Sequence, residues 1–489
     1  MQKNIIYLFF TVIICIFYSN SLLGQAPAQV QILQTYSLQQ AIEIAQKHSP
    51  DFKRAENDRQ ISFWKFKEYR ANKLPQLMLR GELPDLSRTI ISVTQNGGGE
   101  AFQDRNIASS GLELTFTQNI TATGGTVFIS SQINRLDVGL FRPDPSVSYL
   151  TNPFLIGFRQ PIFAFNPMKW DKKIEPLKYE ESKKQNAEDL EMIAQKTSTL
   201  FFHLLISDFN LEFSLKRELE TDTIFKLCKE RHRLGKITEN ELLQAELALL
   251  NAQNQTERNR IDQENDFFLF RTYLKLSDNN PIKLILPNNI NTLQINEEKA
   301  ILEAKNNRSR VITLRRKLLE ADKLYAEAKT SSGLNMNITG SFGYTKNGYS
   351  LADAYIRPQD QQRFRISFDI PLYDFGKAKA HTRAAAAMRD NMRLDVELAE
   401  QQLLREVVSQ VRQFKIYQSQ LNICEKTNII TEKRYQLSIN KYKDGLILLQ
   451  DLQIAIQEQD NARKNHLITI KNYWNAYYQV KQLTMYDFK

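Results

Sequence analysis

The 489 residues carry 65 Lys and Arg against 55 Asp and Glu, a net charge of +10, with only 17 Gly and 14 Pro. Long stretches free of both breakers exclude a loop-rich chain and favour long helices. The positive charge is dispersed among Lys/Glu pairs on helical faces, which speaks against a nucleic-acid partner; the mature chain's cysteines, Cys228 and Cys424, sit at unrelated positions as free thiols.

Residues 1–25 read as a cleaved secretion signal: Lys3, an apolar run from Ile5 to Tyr18, then small residues around Ser21, Gly24 and Ala26. Cys15 follows Ile13-Ile14 rather than the small residue that lipidation needs. No later window has the length and apolarity of a membrane-spanning helix, so any insertion must use strands. Leu38, Ala41, Ile42 and Ala45, then Phe52 and Ala55, form a helical stripe running to about Ala71, interrupted at His48-Ser49-Pro50 with Ser49 placed as a cap.

Beyond Ala71 the period changes to two. Gln76–Leu83 and Phe154–Phe163 read as strands, and between them Leu112, Leu114 and Phe116, a Thr123-Gly124-Gly125 turn and the run Val127–Ile133 make a further hairpin. Whether that hairpin joins the sheet or caps it stays open. Phe154, Phe158, Phe163, Phe165 and Trp170 suit either a membrane-interface girdle or packing within the sheet. A helix of about 65 residues follows from Met168 to His232, with Pro176 in its first turns, then Gly235, then a shorter helix from Glu239 to Leu276.

The order then repeats. Pro161 and Pro371 lie 210 residues apart, and the same offset carries Gly235 onto Gly445, Leu242 onto Leu452, Ala245 onto Ala455, Asn251-Ala252 onto Asn461-Ala462 and Phe267-Phe268 onto Tyr477-Tyr478. Upstream, Ala41 matches Ala300 and Gly81 matches Gly340 at an offset of 259, so the first copy holds 49 additional residues, in the hairpin region. A period this long means two copies of one unit rather than a solenoid. The organisation is therefore a first repeat over 26–276, a linker over 277–294 where the short helices meet, and a second repeat over 295–489. Each repeat runs short helix, strand hairpin, long helix, turn, short helix. Four strands, or six with the extra hairpin, are too few for a membrane barrel, which needs at least eight and must leave no edge. The barrel must be shared between subunits in a cyclic assembly.

The motifs Ser37-Leu38-Gln39-Gln40-Ala41-Ile42 with Ser49-Pro50, Gln160-Pro161-Ile162-Phe163 with its counterpart at Pro371, and Lys441-Tyr442-Lys443-Asp444-Gly445 with Asp451-Leu452 beyond are together similar to the TolC family of outer-membrane channel proteins, across essentially the whole mature chain. The resemblance implies an α+β membrane protein: coiled-coil helices forming a long periplasmic α-barrel, and β-hairpins contributing to a twelve-stranded β-barrel shared by a homotrimer in the outer membrane of a Gram-negative bacterium. It implies an exit duct for small molecules or proteins, docked onto a periplasmic adaptor (membrane fusion protein) and an inner-membrane transporter, in a tripartite efflux pump or a type I secretion system.

Carried over by position, the gate falls on Tyr442, Asp451 and Glu241 with His232, and adaptor docking on the turns at Gly235 and Gly445 with Leu234 and Leu446. Two positions depart from the family: Ile454 stands where a second ring aspartate belongs and Ile447 where a basic residue belongs. No enzyme is implied. The histidines, His48, His203, His232, His381 and His466, are scattered, Gly97-Gly98-Gly99 lacks the Lys-Ser/Thr of a phosphate loop, and neither metal nor cofactor is expected. The competing reading is a coiled-coil scaffold without transport; the signal and the period-2 hairpins weigh against it.

Overall fold

The computed structural model describes residues 34–95, 97–139, 145–276, 282–287, 294–331 and 333–488. The signal segment lies outside them. In chain order the elements are β1 (Gln34–Tyr36), α1 (Leu38–His48), α2 (Pro50–Ala71), β2 (Gln76–Thr94), β3 (Glu100–Ile120), β4 (Gly125–Val138), β5 (Ser146–Ile162), α3 (Pro167–Arg233), α4 (Glu239–Leu274), β6 (Ile282–Leu284), α5 (Glu297–Asn307), α6 (Ser309–Ser331), β7 (Asn335–Gly348), β8 (Gln359–Asp369), α7 (Lys377–Lys443) and α8 (Leu449–Thr484). The described residues divide into two compact units, drawn from Met1–Ser49 with Thr197–Asn291 and from Pro50–Lys196 with Thr292–Lys489. These units cut across the first repeat, and α3 divides between them at Lys196.

The duplication is visible element by element. α3 and α7 have 67 residues each, and α4 and α8 have 36 each. At 1.5 Å per residue, α7 is about 100 Å long. Pro176 lies inside α3 without ending it. The helix starts are set by local chemistry. Ser37 caps α1 in a reciprocal box, its Oγ accepting from the Gln40 N–H while Gln40 Oε1 accepts from the Ser37 N–H. At the matching place in the second repeat, Asn296 Oδ1 accepts from the Glu298 and Lys299 N–H groups and starts α5. Ser49 N–H closes α1 on the Ala45 carbonyl, and Pro50, which lacks an N–H, opens α2 at the position where that loss is harmless.

In the first unit, the predicted stripe Leu38, Ala41, Ile42 and Ala45 is buried, as are Phe201, Phe202, Phe270 and Leu274. Phe201 and Phe270 meet edge to face at 6.3 Å. Asp208 accepts from Gln263 at 2.9 Å, and burial raises its carboxyl above the usual carboxylate range. One feature escapes sequence patterning: part of the predicted linker forms β6, which pairs in parallel with β1 through Gln34–Ile282 and Tyr36–Leu284. Three-residue strands leave no period to read.

In the second unit, α7 and α8 pack as an antiparallel pair around Val407, Val411, Phe414, Leu452, Tyr473 and Val480, all almost wholly buried. Phe414 and Tyr473 lie 5.1 Å apart. The first half of α3 is tied to α6 by charge. Glu181 receives Arg316 and the Thr313 hydroxyl, Asp171 receives Lys323, and Glu188, 8% exposed, accepts the Ser309 N–H at 2.6 Å beside Arg308. Because that carboxylate supplies the first orphan donor of α6 with its acceptor in a place water scarcely reaches, Glu188→Leu is expected to destabilise this unit by about 2–4 kcal/mol. A lowered midpoint for thermal loss of helical circular dichroism, with Glu180→Leu at an exposed position of α3 as reference, checks it.

The remaining six strands form one antiparallel sheet in the order β2-β3-β4-β5-β7-β8. The extra hairpin, β3 and β4, is therefore inside the sheet, between β2 and β5, and not a cap over it. The strands are also longer than their alternation predicts, β2 reaching Thr94 and β3 spanning 21 residues.

Candidate functional site

Direct cross-strand partners point to the same face, so the pairing register sorts the sheet into two surfaces. One row runs Leu77, Phe116, Ile129, Ile156 and Phe342 across five strands. Rows beside it hold Leu79 with Leu114, Leu112 with Ile133, Val127 with Phe158, Ile338 with Ile366, and Met336 with Phe368. The opposite face presents Thr117, Glu113 with Arg80, Gln132 with Asn152, Arg159 with Thr339 and Arg365, and Ser341 with Arg363. The apolar face is open: Leu77 is 67% exposed, Phe364 69% and Phe368 66%. A continuous apolar surface backed by a polar one is the signature of a strand wall between lipid and water. Of the girdle candidates, Phe154 and Phe158 lie on the apolar face, and Phe163 stands exposed at the helix end of the sheet, as Tyr373 and Phe375 do in the second repeat. Among the described residues no helix is long and apolar enough to cross a membrane.

Both strand-to-helix junctions contain the predicted prolines, but each copy turns by its own means. Pro161 still pairs within β5, opposite Asn337, whereas Pro371 lies just past β8. After Pro161 the chain reverses at Phe163, which takes φ 64°, and Asn166 Oδ1 accepts from Lys169 N–H to start α3. After Pro371 the positive angles fall on Phe375 and Gly376, and Asp374 accepts from the Gly376 and Ala378 N–H groups. Left-handed Phe residues are strained, and strain of this kind marks places where the fold is over-determined.

The two turns at the far ends of the long helices close through the same pair of backbone bonds. Gly235 has φ 70° and Gly445 φ 76°. In the first, Gly235 N–H reaches the His232 carbonyl and Lys236 N–H the Arg231 carbonyl; in the second, Gly445 N–H reaches Tyr442 and Leu446 N–H reaches Lys441. This is the Schellman closure, which needs a left-handed residue after the helix. The following helices start on the predicted acids. Glu241 Oε2 accepts from Thr238 N–H at 2.9 Å, with Glu241 N–H donating to Thr238 Oγ1; Asp451 Oδ2 accepts from Leu448 N–H at 3.3 Å. Leu448 has no oxygen to return the bond, so the second box is half of the first. The carboxylates thus serve first as caps, a role that Thr238-x-x-Glu241 spells in sequence.

The other tip residues fall as follows. Tyr442 is 5% exposed in the last turn of α7, its ring packed within its own chain rather than presented at the surface. His232 is exposed with Nδ1 3.3 Å from the Ile237 carbonyl, which requires the proton on Nδ1. Leu234, at 60%, and Leu446, at 72%, are bare apolar groups on the turns themselves.

Residues 300–484 match the family described as outer membrane efflux protein. Comparison with curated protein sequences finds no match. Among solved structures, the fold is similar to the Campylobacter jejuni CmeC outer membrane channel, with TM-score 0.66, 15% identity and coverage of 91% of this chain and 85% of that one. It is similar to the outer membrane protein VceC of Vibrio cholerae, with TM-score 0.63, 13% identity and coverage of 92% and 97%. The Neisseria gonorrhoeae MtrE outer membrane channel in its open state gives TM-score 0.61, 15% identity and coverage of 91% and 88%. The second repeat, from α5 through α8, thus matches the outer membrane efflux protein family, and the chain shares the fold of these outer membrane channels over nine-tenths of its length.

Proposed function

We propose that this chain is one of three identical subunits that together form an export duct through the outer membrane, taking small molecules or proteins delivered by an inner-membrane transporter through a periplasmic adaptor. The observation that carries the reading is the six-stranded sheet with a bare apolar face and two edges that are unpaired among the described residues. In water such a sheet aggregates; in a bilayer it is a sector of a wall, complete only when its edges meet those of other copies. A coiled-coil scaffold has no use for that face.

The helix turns supply the rest of the proposal. The tip carrying Tyr442 and Asp451 and the tip carrying His232 and Glu241 contribute to the periplasmic gate. Leu234 and Leu446, held out by the glycine turns, are the adaptor contacts. Outer-membrane fractionation, heat-modifiable migration in gels and light scattering in detergent test the duct. The expected result is a protein of the outer-membrane fraction that runs as a trimer until boiled. A folded monomer stable in detergent would overturn it.

The docking assignment has its own expected outcome. Nothing lies within 4 Å of a Cβ built on Gly235 or Gly445, so Gly→Val at each acts through backbone strain alone, about 1–2 kcal/mol or more per site. The double variant is expected to lose adaptor cross-linking at the turns while its strands stay inserted. Undiminished cross-linking would move the adaptor contact elsewhere.

A further inference from the structure

We infer that the closed outer-membrane barrel has eighteen strands, six from each of three copies, with β3 and β4 forming wall rather than ornament; the inference rests on the trimeric duct proposed above. It replaces the twelve strands that resemblance alone implies. Three observations carry it.

The first is the polarity of the extra hairpin. On β3, Leu112, Leu114 and Phe116 point to the same face as Leu79 and Leu77 of β2; on β4, Val127, Ile129 and Ile133 point to the same face as Phe158 and Ile156 of β5. Leu112, Leu114 and Phe116 are 40–44% exposed on that face. A hairpin folded over an aqueous mouth would have no reason to continue the lipid-facing band without a break.

The second is its seating. The β3–β4 turn is fixed at the helix end of the sheet, where Asn166 Nδ2 donates to the Thr121 and Ala122 carbonyls and Gln160 Nε2 to the Thr123 carbonyl. Gln118 Nε2 reaches the Lys73 carbonyl just ahead of β2. The contact is close enough that a Cβ on Gly125 would meet Gln160 Oε1 at 2.3 Å. Both strands of the hairpin therefore run the height of the wall.

The third is closure. β2 leaves the helix end and β8 returns to it, and each pairs on one side only among the described residues. Because six is even, the returning β8 of one copy meets the outgoing β2 of the next in antiparallel sense, and the same contact repeated closes a ring of copies with no edge. The occupant of each open edge is thus a second copy of this chain. With strands about 4.8 Å apart and tilted by about 40°, eighteen strands close at a backbone diameter of about 36 Å, against about 24 Å for twelve.

The test uses single cysteines in the full-length protein with Cys228→Ser and Cys424→Ser, labelled with bimane and reconstituted in phosphatidylcholine vesicles with or without doxyl-labelled phosphatidylcholine as a lipid-borne quencher. Leu114→Cys and Ile129→Cys probe the hairpin's apolar face, Thr115→Cys and Gln132→Cys its polar face, and Phe342→Cys reports on β7, which belongs to the wall on either strand count. Each variant is first shown to run as the heat-modifiable oligomer, and native mass spectrometry counts the copies. The expected result is quenching several-fold stronger at Leu114→Cys, Ile129→Cys and Phe342→Cys than at the polar pair, with three copies. Quenching at Phe342→Cys but at neither apolar hairpin position would put the hairpin outside the wall and overturn the inference while leaving the duct intact. No quenching at Phe342→Cys would overturn the duct itself. A count of two copies would give twelve strands and overturn the eighteen.

Discussion

Ile156→Arg is expected to abolish assembly in the outer membrane, whereas Gln361→Arg, at a neighbouring level on the polar face, is expected to assemble normally. Ile156 stands between Ile129 and Phe342 in the longest apolar row of the sheet, and Gln361 pairs with Gly343 on the other surface. An arginine on the lipid face near the bilayer midplane costs about 2–4 kcal/mol. In the trimer proposed above three copies repeat it, for a total of about 6–12 kcal/mol, comparable to the whole stability of an ordinary domain. Gln361→Arg adds a charge to the polar face, which already carries Arg363 and Arg365 on the same strand and which in the proposed duct borders a water-filled interior where hydration is retained. Western analysis of membrane fractions with and without boiling reads the outcome. Normal assembly of Ile156→Arg would mean that this face does not meet lipid, and the assignment of wall and lumen would have to be exchanged or abandoned.

Much of this architecture is legible in the chain because duplication lets each half check the other. The spacing from Pro161 to Gly235 and from Pro371 to Gly445 predicts long helices of equal length, and both have 67 residues. The glycines themselves are readable because only a left-handed residue completes the Schellman closure that both turns make. What resists reading has physical causes. The place of the β3–β4 hairpin is set by which edges pair, and alternation at Leu112, Leu114 and Phe116 is the same whether the strands lie in a wall or above it. Long strands such as β2 blur because Pro84, Asp85 and Ser87 interrupt the pattern, and the register there shifts between Glu82 and Asp85. The capping by Glu241 was open to sequence through Thr238-x-x-Glu, but the equivalent bond at Asp451 was hidden, since Leu448 is no capping residue and only the acid makes the contact. Positional analogy assigned both acids to a gate and did not read the helix-capping bonds that they make.

The cap that Asp451 makes and the gate role proposed for it predict separable behaviour. Its carboxylate is exposed, accepts the N–H of Leu448 and stands in the first turn of α8, where a negative charge also complements the helix dipole. In the trimeric duct proposed above, three such carboxylates would form a ring of like charge that attracts cations and repels anions at a constriction. Charge and cap can be separated. Asp451→Asn keeps an oxygen that accepts from Leu448 N–H and removes the charge; Asp451→Ala removes both, at a cost of about 1 kcal/mol in the stability of the turn. On planar bilayers both variants are expected to lose cation selectivity, read as a reversal potential moving toward zero under a KCl gradient, and to lose block by multivalent cations. Only Asp451→Ala is expected to loosen the turn, seen as faster hydrogen exchange at Leu448 and Leu452, whose amides belong to the cap and the first helical bond. Tyr442→Phe supplies the companion measurement. Its ring is buried in the last turn of α7, so loss of the hydroxyl changes no surface charge, and a raised resting conductance would report release of a bond that holds the tip closed. If Asp451→Asn keeps full selectivity and block, the carboxylate is a helix cap alone, and the charge that selects ions at the constriction lies on another residue.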